Sequence, residues 1–170
     1  FERNHPNWLR YTFTDMFRVA QFHGIPFGPP RPDPIVQNVI TREISAEQPY
    51  IFRLTRLGQA AARRGQSLAF CDEVSQLIWG GAENWHEGDH LTSAATRAGL
   101  DLAELDAEAE RDAEALDAEV AANQSALEAA GHWGVPTLVF DGEPFFGQDR
   151  IDMAIWRMQQ KGLAPRETAA

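Results

Sequence analysis

The chain has 170 residues, 44% of them hydrophobic and 24% charged, the proportions of a globular protein with room for one real core. A formal net charge of −10 argues against nucleic acid or an anionic membrane surface as a partner. No apolar run approaches the roughly 20 residues that span a bilayer. The opening FERNHPNWLR carries no signal-peptide pattern and Cys71 is the only cysteine, so a cytoplasmic setting without a disulfide or a C-x-x-C pair is expected.

Residues 1–8 read as a polar loop. From Asn7 to His23, Leu9, Phe13, Met16, Phe17 and Ala20 fall on one helical face, and Gly24-Ile25-Pro26 ends that helix. The stretch 27–34, FGPPRPDP, holds four prolines and reads as a semi-rigid extended linker. Helix is expected to resume near Ser45, where Gln48 three residues on suggests a capping box, although Pro49 falls in the same turn. Tyr50, Leu54, Leu57 and Ala61 make an apolar stripe that stops at Gly65. A further helix over Ser67 to Trp79 is expected to bury Leu68, Cys71, Val74, Ile78 and Trp79, which makes Cys71 a core thiol.

Residues 80–89, GGAENWHEGD, are irregular by composition. His86-Glu87-Gly88-Asp89-His90 fits H-E-x-x-H, a zinc-hydrolase pattern that requires both histidines on one continuous helical face. Two glycines precede it and Gly88 interrupts it, while Asp89 reads as the N-cap of a helix from His90 to Ala98. A charged loop is therefore expected, and no metal site. Gly99 closes that helix, and Leu100-Asp101 opens the next. Residues 101–130 are rich in Ala, Glu and Asp with sparse apolar contacts from Leu102, Leu105, Leu116, Val120 and Leu127, a helical stretch with a solvated acidic face.

The segment 131–158, GHWGVPTLVFDGEPFFGQDRIDMAIWRM, is the most informative. Val135 to Phe140 is a short β-branched run whose proline belongs at the strand's beginning. Asp141-Gly142 signals a tight turn, Glu143 to Phe146 a second strand, and Gly147 a break. Ile151, Ala154, Ile155 and Met158 then space as a helix. A cis Val135-Pro136 bond would expose the Val135 backbone to an extended ligand, and the helix start after Gly147 would favour a carboxylate, with Asp149 placed to take an ammonium. An ordinary hairpin followed by a capping Asp is the other reading of the same residues.

Gly131 to Gly134, Val135-Pro136-Thr137, Gly142-Glu143, Phe145-Phe146 and Gly147-Gln148-Asp149-Arg150 together closely resemble the C-terminal segment of the 2-hydroxychromene-2-carboxylate isomerase and kappa-class glutathione transferase family, a branch of the DsbA-like thioredoxin superfamily. The resemblance implies an α/β, thioredoxin-like (DsbA-like) fold with a large all-helical insertion. This chain would be mostly α, with residues 1–130 as the helical insertion and its preceding loop, and 131–170 as the ββα half of the thioredoxin-like domain. The family's N-terminal β-α-β unit is not matched and is expected to be missing.

The same resemblance implies glutathione as cofactor. Val135 and Pro136 would meet its cysteinyl backbone, and Gln148, Asp149 and Arg150 its γ-glutamyl end. Asn4, in an Asn-x-Pro segment with Pro6, and Arg10 at a looser basic position would also touch it. The implied activity is glutathione-dependent isomerisation or transfer on a small aromatic-derived substrate, in a homodimer. The thiol-activating residue, a serine or a cysteine in relatives, has no counterpart here, so no catalytic residue is assigned. Two other classes stay open: a DsbA-like thiol-disulfide oxidoreductase, and a non-catalytic helical binding protein on the same scaffold.

Overall fold

The computed structural model describes residues 7–38, 41 and 43–165. The chain divides into two compact units, Phe1–Leu116 and Asp117–Ala170. In order, its elements are α1 (Asn7–His23), α2 (Ile51–Arg63), α3 (Ser67–Trp79), α4 (His90–Arg97), α5 (Leu102–Arg111), α6 (Ala113–Ala129), β1 (Thr137–Phe140), β2 (Glu143–Phe146), a 3-10 turn (Gln148–Arg150) and α7 (Ile151–Gln160). This is the mostly helical architecture with a terminal two-stranded antiparallel sheet and helix that the sequence implies. No helix among the described residues is long and apolar enough to cross a membrane.

In the first unit α2 packs on α3 and α5, and α4 packs on the same two helices, so the four close a ring around one core. Leu57 and Leu105 are completely buried there, each contributing about 1.5–3 kcal/mol by the area it removes from water. Ala60, Ala61, Ala94 and Ala95 are also fully buried, and their small side chains let the helix axes approach closely. Trp85, from the loop between α3 and α4, fills the remaining space and donates its indole N–H to the Pro32 carbonyl at 2.8 Å.

Several local expectations change. The helix predicted at Ser45 starts six residues later, at Ile51. Gln48 spends its side chain on Val36, accepting from its N–H and donating to its carbonyl at 2.9 Å each, and Pro49 disfavours helical backbone at the residue before it. In α3 the buried residues are Phe70, Val74 and Ile78, whereas Leu68 is 86% exposed and Cys71 is exposed. Val74 and Ile78 are buried as expected, and Phe70 one turn before them completes an i, i+4, i+8 row in place of Leu68 and Cys71. Trp79 is only half-covered, its indole stacked on Phe27 at 6.0 Å.

The proline-rich stretch is no loose linker. Gly28 N–H donates to the Trp79 carbonyl, Asn84 N–H to Arg31, and Arg31 pairs with Glu83 across a parallel bridge, so it is strapped along the α3–α4 loop. The Arg31–Pro32 peptide is cis. The helix α1 forms where expected, but of its apolar face only Ala20 is buried. Phe17 meets Phe27 edge-on at 5.1 Å, while Phe13 remains 52% exposed.

The acidic stretch holds one exception to its solvated character. Glu108 on α5 is 7% exposed, and each of its oxygens takes an arginine of the α2 end: Arg63 at 2.8 Å and Arg64 at 2.5 Å. Those hydrogen bonds hold its carboxyl below the usual range.

In the second unit, β1 and β2 pair antiparallel with Thr137 opposite Phe146 and Phe140 opposite Glu143. The two-residue loop has positive φ at both positions, 52° at Asp141 and 78° at Gly142, the type I′ geometry whose twist matches the strands. Alternation puts Leu138, Phe140, Glu143 and Phe145 on one face. Helix α7 packs on both strands; Phe145 and Ala154 are buried, and Arg157 grips Glu143 through Nε to Oε2 at 2.7 Å and Nη2 to Oε1 at 3.3 Å. Ile151 and Ile155, which share the helical spacing of Ala154, are 46% and 40% exposed.

Candidate functional site

The second unit gathers most of the residues that the sequence singles out. Pro136 stands just before β1, where its missing N–H costs no ladder bond, and the Val135–Pro136 peptide is cis. Val135 is 80% exposed, and among the described residues no hydrogen bond uses its backbone N–H or carbonyl. The chain runs up β1, turns, and returns along β2 to Gly147, whose N–H donates to the Pro136 carbonyl at 2.9 Å. That bond sets the Val135-Pro136 loop beside the Gln148-Asp149-Arg150 corner.

The corner is built differently from the expected helix start. Gln148–Arg150 is a single 3-10 turn, closed by Arg150 N–H to the Gly147 carbonyl, and α7 begins only after it. Asp149 makes no side-chain cap; its carboxylate pairs with Arg150 at 2.6 Å, and both groups are open to solvent. Gly147 sits at φ 99°, a backbone conformation that favours glycine, and a Cβ there would lie 2.6 Å from the Asp149 Oδ1 and displace that carboxylate. Chemically, the corner offers an anion and a cation side by side, suited to an ammonium and a carboxylate on one carbon. Beside it lies the exposed Val135 backbone, unpaired among the described residues. A short peptide with a zwitterionic end fits such a set.

Sequence reasoning missed the rings behind this loop. His132 stacks on Phe146 with centroids 4.1 Å apart and planes at 20°, and Trp133 stacks on His132 at 4.6 Å and 7°. Gly134 N–H donates to the His132 Nδ1 at 2.9 Å. The signal was present as the pair His132-Trp133 directly before Gly134-Val135-Pro136, but only the hairpin register brings Phe146 under it.

The other candidates belong to other segments of the chain. Asn4 lies outside the described residues. Arg10 belongs to α1 in the first unit, where its carbonyl accepts from Thr14. His86 lies in a turn and Glu87 in a bend, Gly88 has φ 59°, and His90 is the first residue of α4, so the H-E-x-x-H histidines share no helical face. Asp89 does occupy the N-cap position, but its side chain makes no cap bond. His86 turns its Nε2 to the Tyr50 hydroxyl at 3.5 Å, and no group of three His, Cys, Asp or Glu among the described residues is arranged to hold a metal. Partial burial pushes the Cys71 thiol's pKa up, away from the reactive thiolate.

No curated protein matches the chain. Residues 2–158 match the model of the DSBA-like thioredoxin domain, which spans both the helical body and the hairpin unit; the chain belongs to the DSBA-like thioredoxin family.

Proposed function

We propose that the chain works as a glutathione-dependent isomerase or transferase of the 2-hydroxychromene-2-carboxylate isomerase type. Members of the DSBA-like family are commonly oxidoreductases and isomerases, and their chemistry is that of thiols. In this reading the reactive sulfur is that of a bound ligand; Cys71, whose thiol pKa is pushed up by partial burial, is not assigned the role.

The observation that carries the reading is the Gly147 N–H to Pro136 carbonyl bond, which joins the exposed Val135 backbone, unpaired among the described residues, to a paired Asp149–Arg150 corner. Val135 would pair its N–H and carbonyl with the cysteinyl unit of glutathione in the manner of one added strand residue. Asp149 would hold the γ-glutamyl ammonium, and Arg150, aided by Gln148, its carboxylate. When bound, glutathione supplies a sulfur that adds reversibly to a conjugated carbon of an aromatic-derived substrate. The part of the chain is to orient the tripeptide so that this sulfur lies beside Val135; no residue is assigned the role of activating it.

The test is a calorimetric titration of the chain with reduced glutathione. Saturable binding is expected, and Val135→Pro, which removes the single N–H donor, is expected to abolish it with the circular dichroism unchanged. Absence of saturable binding to the unmodified chain overturns the reading.

A further inference from the structure

The open face of the hairpin carries a second feature, independent of the peptide-like site. Trp133 is 81% exposed, yet its indole does not hang free. One face lies flat on the His132 imidazole, which lies in turn on the Phe146 ring. Each layer is fixed. The β-ladder holds Phe146 opposite Thr137. The Gly134 N–H holds His132 by its Nδ1, which leaves the proton of the neutral imidazole on Nε2. Gly134 itself leaves the room: a Cβ there would lie 2.7 Å from the Phe146 Cε2 and 3.1 Å from the His132 Cε1.

The result is a pile of three nearly parallel rings whose fourth position, the outer face of Trp133, is covered by no ring contact among the described residues. We infer that this outer face is a stacking platform for a small planar conjugated molecule, held against the Val135 loop. A fourth flat ring continues the pile at ring-contact distance and removes both apolar faces from water. A saturated ring of the same size is puckered and meets the indole at a few atoms only. The surface is one indole wide, far below the roughly 1,000 Å² that a specific protein partner needs. Because the indole is already immobilised, binding costs it little side-chain entropy. The platform stands on the ring geometry alone and holds whether or not glutathione binds.

The experiment titrates the full chain, without glutathione, with 2-naphthol and with its saturated counterpart decahydro-2-naphthol. These share a hydroxyl and a carbon skeleton and differ in flatness and π-character. Saturable binding of 2-naphthol is expected, about tenfold weaker for Trp133→Ala, as expected for the loss of one ring–ring stack. The saturated compound should bind at least tenfold more weakly than 2-naphthol to the unmodified chain. Gly134→Ala, which pushes the pile apart, should weaken 2-naphthol while leaving Trp133 in place. Equal affinities for the two probes, an unchanged affinity in Trp133→Ala, or no binding at millimolar 2-naphthol overturns the platform. Glutathione titrated into Trp133→Ala separates the two readings, since its binding should not change. If glutathione binds and 2-naphthol does not, only the platform fails; the reverse result removes only the glutathione reading.

Discussion

Arg53 on α2 holds Asp106 on α5 by two parallel hydrogen bonds, Nε to Oδ1 and Nη2 to Oδ2, both 2.7 Å long. The fork matches the carboxylate as a rigid plane, which a lysine cannot do. Both side chains are partly exposed, at 41% and 31%, so the pair contributes about 0.5–1 kcal/mol. Arg53→Lys should lower the urea midpoint nearly as far as Arg53→Ala. A lysine variant indistinguishable from the parent would show that the fork geometry contributes nothing.

Glu108 is a stronger case because it is buried. Its two arginines lower its folded-state pKa below the unfolded value of about 4.3. A group with a depressed folded pKa stabilises the fold above the unfolded pKa, and that stability is lost as pH falls through the folded one. Glu108→Ala should cost about 1–3 kcal/mol at neutral pH, since it removes the shared acceptor of Arg63 and Arg64 while Arg63 keeps Asp112 within 3.5 Å. Glu108→Gln should show a flatter decline of stability below pH 4 than the parent. Parallel pH profiles for the two proteins would refute the assignment.

Trp85 fills the centre of the helical unit and ties it to the strap by its bond to Pro32. Trp85→Phe keeps much of the volume but removes the donor, leaving the Pro32 carbonyl without that partner. A loss of about 1–3 kcal/mol is expected in chemical denaturation. Amide exchange should rise first at Gly28 and Asn84, whose N–H groups bind the strap to the loop.

Asp149 and Asp141 offer a controlled comparison at the candidate site. Both are exposed and ion-paired, Asp149 to Arg150 and Asp141 to Lys161 at 3.0 Å, but only Asp149 adjoins the Pro136 loop. Asp149→Asn should weaken glutathione about tenfold, the scale of one charge-assisted hydrogen bond. Asp141→Asn should leave it unchanged. Equal effects from both would mean that net charge, not position, governs binding.

Legibility in the sequence followed the range of the interactions concerned. The bounds of α3 and of β2, and the Asp141-Gly142 turn, depend on neighbours a few residues away and were readable. The start of α2 was not, because Gln48 is captured by Val36, twelve positions earlier. The burial of Glu108 was hidden for the same reason, since its partners Arg63 and Arg64 lie more than forty residues upstream. At the candidate site, Val135-Pro136 and Gln148 to Arg150 were identified together by motif. Their actual junction, the bond from Gly147 to Pro136, follows from counting residues around the hairpin. The ring pile was illegible because a stacked contact between His132 and Phe146 leaves no periodicity to detect.

The I′ turn at Asp141-Gly142 lies five residues from the Pro136–Gly147 bond on each strand, about 17 Å at the rise of an extended strand. It nonetheless acts as the gauge that sets the site's alignment. One residue added to that loop and taken up by register would slide β2 a single step, turning Phe146 to the α7 side and Phe145 outward. Gly147 would then no longer face Pro136, and His132 would lose the ring beneath it. A length change at the far tip of the hairpin would thus disassemble both the peptide-binding corner and the stacking platform without altering any residue of either.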